Sequence, residues 1–401
     1  ERTLVIAPRG FPHRRDHGGT LAVGTNTEAT ITIPDASVPG SGRATLRLFP
    51  TPLTTLAAGL EGMLQEPHGC FEQTSSTNYP NTLVLQLLQG SGDAVPAAAL
   101  RASELLAKGY ARLVGFECKR GGFEWFGRDP GHEALTAYGL LQFHDMAQVF
   151  DVDAAMVART RSWLLGRRNG RGDFVHEGTD HHSFGNSQQL TNAYCTYALL
   201  QSGTKADELA RELAALAARG KASDDAYELA LIANALGLAG HADAAALRQR
   251  LVALQRADGS LCGTTTSITC SGQRDLAVET TSYAVLAWLQ DPAFAASSWR
   301  ALQFVQTQRQ GSGTFGATQA TVCALRALIA WANQHRQAAT AGTLRVFAGE
   351  RLLAERAFAA DAMEPVRVEL WSQLPAGEHT LRLEVATADR QDAAAVPAQM
   401  P

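Results

Sequence analysis

Two side chains three residues apart hold the most reactive pairing in the chain. Cys70 precedes Gln73 in Pro67-His68-Gly69-Cys70-Phe71-Glu72-Gln73. That spacing lets a cysteine sulfur reach a glutamine side-chain carbonyl. Alone, Cys-x-x-Gln carries little information, and a buried free cysteine usually serves as a small hydrophobe. The flanks raise this one: Pro67 and Gly69 break the chain before it, and a long apolar helical pattern follows. A second polar cluster lies at His176, Glu177, Asp180, His181 and His182. It lacks helical i, i+4 spacing, and it reads as a metal cluster or a solvated loop.

The elements that must position these residues change period twice. Up to about residue 50 the pattern alternates with period two, in 3–7, 27–33 and 44–49, with turn residues between. From 52 to 337 it is helical, apolar at i, i+3, i+4 and i+7. The helical segments fall into six pairs: 52–65 with 70–89, 95–114 with 132–149, 153–167 with 190–201, 205–219 with 224–239, 243–256 with 277–290, and 296–309 with 318–334. Shared punctuation marks an internal repeat. Gly121-Gly122-Phe123, Gly172-Asp173-Phe174, Gly259-Ser260-Leu261 and Gly313-Thr314-Phe315 each precede a second helix of a pair. One pair cannot bury both of its apolar faces, whereas six in a ring can. An α/α toroid is expected, with a linear solenoid as the other arrangement. Beyond 340 the period returns to two, in 343–347, 366–370 and 380–385. The fold class is therefore an α/α toroid inserted in an all-β sandwich. Its parts are 1–51 and 338–401 for the β domain and 52–337 for the helical body.

Composition removes several function classes. The chain of 401 residues is 45% apolar and 18% charged, with a net charge of −4. No basic run points to nucleic acid, and no apolar stretch has membrane-spanning length. The start, Glu1-Arg2-Thr3-Leu4, is neither an initiator methionine nor a signal peptide, as in a mature product or an excised fragment. None of the six cysteines forms Cys-x-x-Cys, so no structural zinc site and no cofactor is expected. Cys262 and Cys270 flank a Gly/Thr/Ser-rich loop whose spacing allows a bridge in an oxidising compartment. Cys118, Cys195 and Cys323 fall in or beside apolar helices and read as core. Trp125, Phe126 and Tyr79 read as core or as a shield for the reactive pair. Trp163, Trp288, Trp299 and Trp331 read as packing, and Arg171-Gly172-Asp173 as a turn.

These stretches together resemble the α2-macroglobulin and complement-component superfamily. Pro67 to Gln73 with Tyr79-Pro80-Asn81 looks like its thioester motif, with Pro67, Gly69 and Glu72 as supporting residues. Val278-Glu279-Thr280-Thr281-Ser282-Tyr283 and Phe315-Gly316-Ala317-Thr318-Gln319 look like later parts of its thioester domain, and the split β region like its CUB-type domain. Phe71 departs from the Gly-Cys-Gly-Glu-Gln of animal members and is more like bacterial ones. The resemblance implies an internal thioester between Cys70 and Gln73, formed with loss of ammonia. It implies a nearby histidine that selects hydroxyl acceptors. Counting eight residues on from Phe174 gives His182, with His181 or His176 as alternatives. The implied function is single-use protease trapping rather than turnover catalysis. The trapped protease would be held through a lysine or hydroxyl, and a bait region and further macroglobulin domains would belong to the parent chain. The alternative is an opsonin or adhesin coupling to surface glycans. An α/α-toroid enzyme, such as a terpenoid cyclase or glycan lyase, would leave Cys70 and Gln73 unexplained. The expected location is extracytoplasmic: periplasmic, membrane-attached or secreted.

Overall fold

The computed structural model describes residues 21, 26–35, 37, 41–48, 63–89, 96–175, 184, 187–310, 314–334, 341–359 and 365–387. The chain forms two compact units: Gly59–His335, and a second built from Glu1–Ala58 with Arg336–Pro401.

The larger unit is helical. Its described α-helices are α1 (Phe71–Gln89), α2 (Pro96–Val114), α3 (Glu133–Met146), α4 (Ala154–Gly166), α5 (Gln188–Gln201), α6 (Ala210–Ala222), α7 (Ala226–Leu238), α8 (Ala244–Leu254), α9 (Gln273–Trp288), α10 (Ala295–Thr307) and α11 (Thr318–Gln334). The helix expected at 52–65 falls largely on residues outside those described. Burial separates two layers. α3, α5, α7 and α9 are buried around nearly their whole circumference, whereas α4, α8 and α10 bury one stripe each. A helix buried all round needs neighbours on every side. The odd-numbered helices supply them. α1 packs on α3, α3 on α5, α5 on α7, α7 on α9, α9 on α11, and α11 returns to α1. That closure is consistent with an α/α toroid, since the end helices of a linear solenoid would not meet.

The repeated turns work as plugs. Phe123, Phe174, Leu261 and Phe315 are all buried. Each donates its backbone N–H to a polar side chain of the inner helix that follows: Thr136 Oγ1 at 2.8 Å, Asn192 Oδ1 at 3.0 Å, Thr281 Oγ1 at 2.9 Å and Thr321 Oγ1 at 3.0 Å. A buried amide thereby finds the partner it needs, and each loop is locked to its helix. Gly259 shows why the turn needs glycine: a Cβ there would lie 2.1 Å from the Arg300 carbonyl oxygen. Asp173 of the Arg-Gly-Asp turn accepts from Asn192 Nδ2 at 2.8 Å and so serves the same lock.

The smaller unit is all β. Strands β1 (Asn26–Ile33), β2 (Thr45–Leu48), β3 (Gly342–Ala348), β4 (Arg351–Phe358), β5 (Val366–Glu369) and β6 (Gly377–Thr387) make two antiparallel sheets. One has the order β1-β6-β3-β4, and the other pairs β2 with β5. Segments from both ends of the sequence therefore share each sheet, with Ala29 opposite Leu381 and Leu46 opposite Val368. One core, including Ile33, Leu48, Val346, Val368 and Leu383, joins the sheets. The sequence pattern missed β4. Along Arg351–Phe358 only Ala354 is buried, so no period-two signal appears.

Candidate functional site

The reactive pair stands at the entry to α1. Pro67 is buried, Gly69 is exposed, Cys70 is half-buried and Gln73 is exposed. Gly69 holds φ at +76°, and a Cβ there would lie 1.9 Å from Gln73 Oε1. Glycine is required twice over, by its left-handed backbone and by the close approach. The Gln73 carboxamide turns back onto the Gly69–Cys70 segment, where the Cys70 N–H donates to Gln73 Oε1 at 3.2 Å. The donor on this carbonyl oxygen is the Cys70 amide, one residue ahead of the helix. The first amide of α1, Phe71 N–H, is taken by the Trp125 carbonyl at 2.9 Å.

Three neighbours hold this turn. Arg112 of α2 donates from Nη2 to the Gly69 carbonyl at 2.8 Å, and the Thr74 hydroxyl donates to the His68 carbonyl at 3.0 Å. Asn81, inside the Tyr79-Pro80-Asn81 stretch, clamps Gln65 from both sides: its Nδ2 donates to the Gln65 carbonyl at 3.0 Å, and its Oδ1 accepts from the Gln65 amide at 3.2 Å. That clamp gives the later part of the motif a physical role, fixing the segment that enters the site.

Beneath the pair the site is aromatic. Phe71 is fully buried, stacked on Phe123 with ring centroids 4.9 Å apart and edge-on to Phe116 at 6.2 Å. Trp125, also buried, donates its indole N–H to Glu72 Oε2 at 2.8 Å. Tyr79 is a core residue of the ring, and Phe126 is exposed. Sequence reasoning treated Trp125 as filling or shield and missed its tie to Glu72; it missed Arg112 altogether.

No disulfide joins the cysteines, so Cys262 and Cys270 are not bridged. The Gly/Thr/Ser loop between them is instead closed by its own hydroxyls. Cys118, Cys195 and Cys323 are buried. Burial pushes all three thiols up, Cys118 to about 12, the opposite of an activated thiolate. His176, Glu177, Asp180, His181 and His182 lie outside the described residues. Among the described residues no group of three or more His, Cys, Asp or Glu side chains could hold a metal ion. No described helix is long and apolar enough to cross a membrane.

With this geometry in place, comparison with known proteins gives the family. Residues 47–331 match the family model described as the A-macroglobulin TED domain. The chain belongs to that family, within the α2-macroglobulin and complement superfamily. Among relatives, it is 27% identical over 303 residues to thioester-containing protein 1 allele R1 of Anopheles gambiae, covering 72% of this chain and 22% of the relative. It is 25% identical over 370 residues to ovostatin of Gallus gallus, covering 86% of this chain and 25% of the relative. The chain thus spans about a quarter of the length of such relatives, or less.

Proposed function

We propose that Cys70 Sγ and Gln73 Cδ form an internal thioester, and that this chain is the covalent-capture part of an α-macroglobulin-type protease trap. The observation that carries the reading is the Gln73 carboxamide folded back on Gly69–Cys70, with the Cys70 amide on its oxygen. In formation, the sulfur attacks Cδ and ammonia leaves. In capture, a lysine amine or a hydroxyl of the target attacks Cδ, the C–S bond breaks and Cys70 departs as thiolate. Negative charge develops on the oxygen that the Cys70 N–H addresses, the placement an oxyanion donor needs. The chemistry is used once, so the protein is an inhibitor and not an enzyme.

In this reading residues 52–337 are the thioester domain, 1–51 and 338–401 form a CUB-like β domain, and the parent protein works outside the cytoplasm. His182, or His181, takes the acyl group from sulfur when a hydroxyl is the acceptor. Intact-mass measurement tests the core claim. The native chain should be lighter by one ammonia than its sequence mass, and methylamine should add at Gln73. A titratable Cys70 thiol in freshly purified, never-denatured protein would overturn it.

The competing reading is an opsonin or adhesin that couples to surface glycans through the same bond. The similarity to both a thioester-containing protein and ovostatin keeps the two side by side. Adducts of the parent protein with a cleaving protease support trapping, and adducts with polysaccharide support tethering. His182→Ala should slow transfer to glycerol and spare methylamine. Equal slowing of both would remove His182 from the reaction.

A further inference from the structure

The peptide that joins Gly69 to Cys70 is gripped at both of its polar ends. Its N–H, on Cys70, donates to Gln73 Oε1 at 3.2 Å. Its carbonyl, on Gly69, accepts from Arg112 Nη2 at 2.8 Å. The Thr74 hydroxyl lies 3.4 Å from the same carbonyl oxygen, but its shorter bond, at 3.0 Å, goes to the His68 carbonyl. This peptide is trans. A trans peptide is planar, with its C=O and N–H pointing opposite ways. Whatever fixes the carbonyl therefore aims the N–H. Gly69 has no Cβ to restrain the plane on its own side, so the restraint has to come from a partner.

Two features of α2 bring Arg112 to that carbonyl. Gly109 lets α2 lie close against α1: a Cβ there would stand 2.1 Å from Cγ of the buried Asn78. Lys108 and Arg112 are four residues apart and share a helix face. Lys108 Nζ reaches Glu66 Oε1 at 2.9 Å while Arg112 reaches Gly69, so both long side chains bear on the segment ahead of α1. An arginine in the last turn of a helix ordinarily complements that helix's own C-terminal carbonyls. Arg112 stands in the last turn of α2, yet its Nη2 donates to the turn before α1. Its side chain is exposed, so water and salt screen its field beyond contact range. Its effect on the reactive pair must run through the bond it makes.

We propose that Arg112 is a positioning residue for acyl transfer at Cys70–Gln73, acting through the Gly69–Cys70 peptide. The proposal rests on the thioester reading above. The guanidinium holds the plane so that the Cys70 N–H stays on the acyl oxygen. It also polarises the plane. A cation on the carbonyl draws charge through the amide and makes its N–H a stronger donor, as along any chain of hydrogen bonds. When a free amine attacks, its nitrogen bonds to Gln73 Cδ and negative charge gathers on the acyl oxygen. The C–S bond then breaks, its electron pair leaves on Cys70 Sγ, and the amine's surplus proton passes to that sulfur. Arg112 touches none of these atoms. It strengthens the donor on the oxygen while the charge is there. The same oxygen carries charge when Sγ displaces ammonia, so formation of the bond depends on Arg112 as well.

The test is the rate constant for methylamine addition at Gln73, followed by mass on the fraction of chain that carries the ammonia deficit. Arg112→Met keeps most of the stem and removes the donor and the charge. It should slow addition about tenfold, less than deleting an oxyanion donor outright, because the Cys70 N–H remains. Arg112→Lys returns a charged donor and should recover most of that loss. Lys108→Met breaks the exposed bridge from the same helix to the same segment and should leave the rate within about twofold of wild type. An Arg112→Met chain that reacts at the wild-type rate overturns the inference. So does Arg112→Lys as slow as Arg112→Met, or Lys108→Met slowed as far, since α2 would then act only as a general brace. If Arg112→Met never forms the deficit, its return in Arg112→Lys supports the inference and its loss from both overturns it. Absence of both the ammonia deficit and methylamine addition in the wild-type chain overturns the thioester reading instead.

Discussion

Arg326 Nε of α11 lies 3.1 Å from Asp145 Oδ2 of α3, and that oxygen also accepts the Tyr79 hydroxyl of α1 at 2.5 Å. All three side chains are buried. One carboxylate thus ties the last inner helix to the first two, at the seam where the ring closes. Removing one member of a buried ion pair leaves its partner desolvated and uncompensated, at a loss of roughly 3–5 kcal/mol. Arg326→Ala should lower the urea midpoint accordingly. An unchanged midpoint would mean that packing alone closes the seam.

Gly69→Ala separates the turn from the rest of the fold. The new methyl would overlap the Gln73 carboxamide and sit on a backbone with φ of +76°. Because the clash falls on the side chain that must fold back, the variant should keep its helical circular dichroism and lose both the ammonia mass deficit and methylamine labelling. Full labelling would show that Gln73 reaches Cys70 by another path.

The aromatic floor should govern how long the thioester lasts. Trp125→Phe keeps most of the buried ring but deletes the indole bond to Glu72, a loss of about 1–3 kcal/mol where a polar partner is left unsatisfied. The methylamine-reactive fraction should then decay severalfold faster on storage at neutral pH. Phe71→Ala empties a fully buried site stacked on Phe123 and should destabilise the helical unit by about 3–5 kcal/mol. A Trp125→Phe protein that decays no faster would assign water exclusion to other groups.

Sequence patterns made the ring readable because its repeat is written twice, in helix pairs and in turns. Phe123, Phe174, Leu261 and Phe315 stand where a plug is needed, and the Thr or Asn that receives each amide follows within the next inner helix. Strand β4 escaped notice because its burial pattern carries no alternation. Cys70 and Gln73 were legible as a pair because their contact is local. Arg112 reaches Gly69 across 43 residues and Trp125 reaches Glu72 across 53, distances over which no spacing rule operates. Glu279 did leave a trace: it is an acidic residue in an otherwise apolar and hydroxyl-rich run, Val278 to Tyr283.

The Glu279 carboxyl makes stability depend on pH in a direction opposite to most carboxylates. Burial raises the Glu279 pKa to about 7 in the folded chain, against about 4.3 for an unfolded glutamate. Between those values the folded state holds a proton that the unfolded state has released, so stability falls as pH rises. The contribution is fully present below about pH 4.3 and is lost as pH passes through about 7, a change on the order of 3 kcal/mol. Glu279→Gln keeps the shape and removes the titration. Urea midpoints measured on both proteins should therefore diverge as pH rises, with the variant more stable above neutrality and the difference vanishing toward pH 4–5, near the unfolded pKa. A constant difference across that range would mean that the buried carboxyl does not change its protonation on folding.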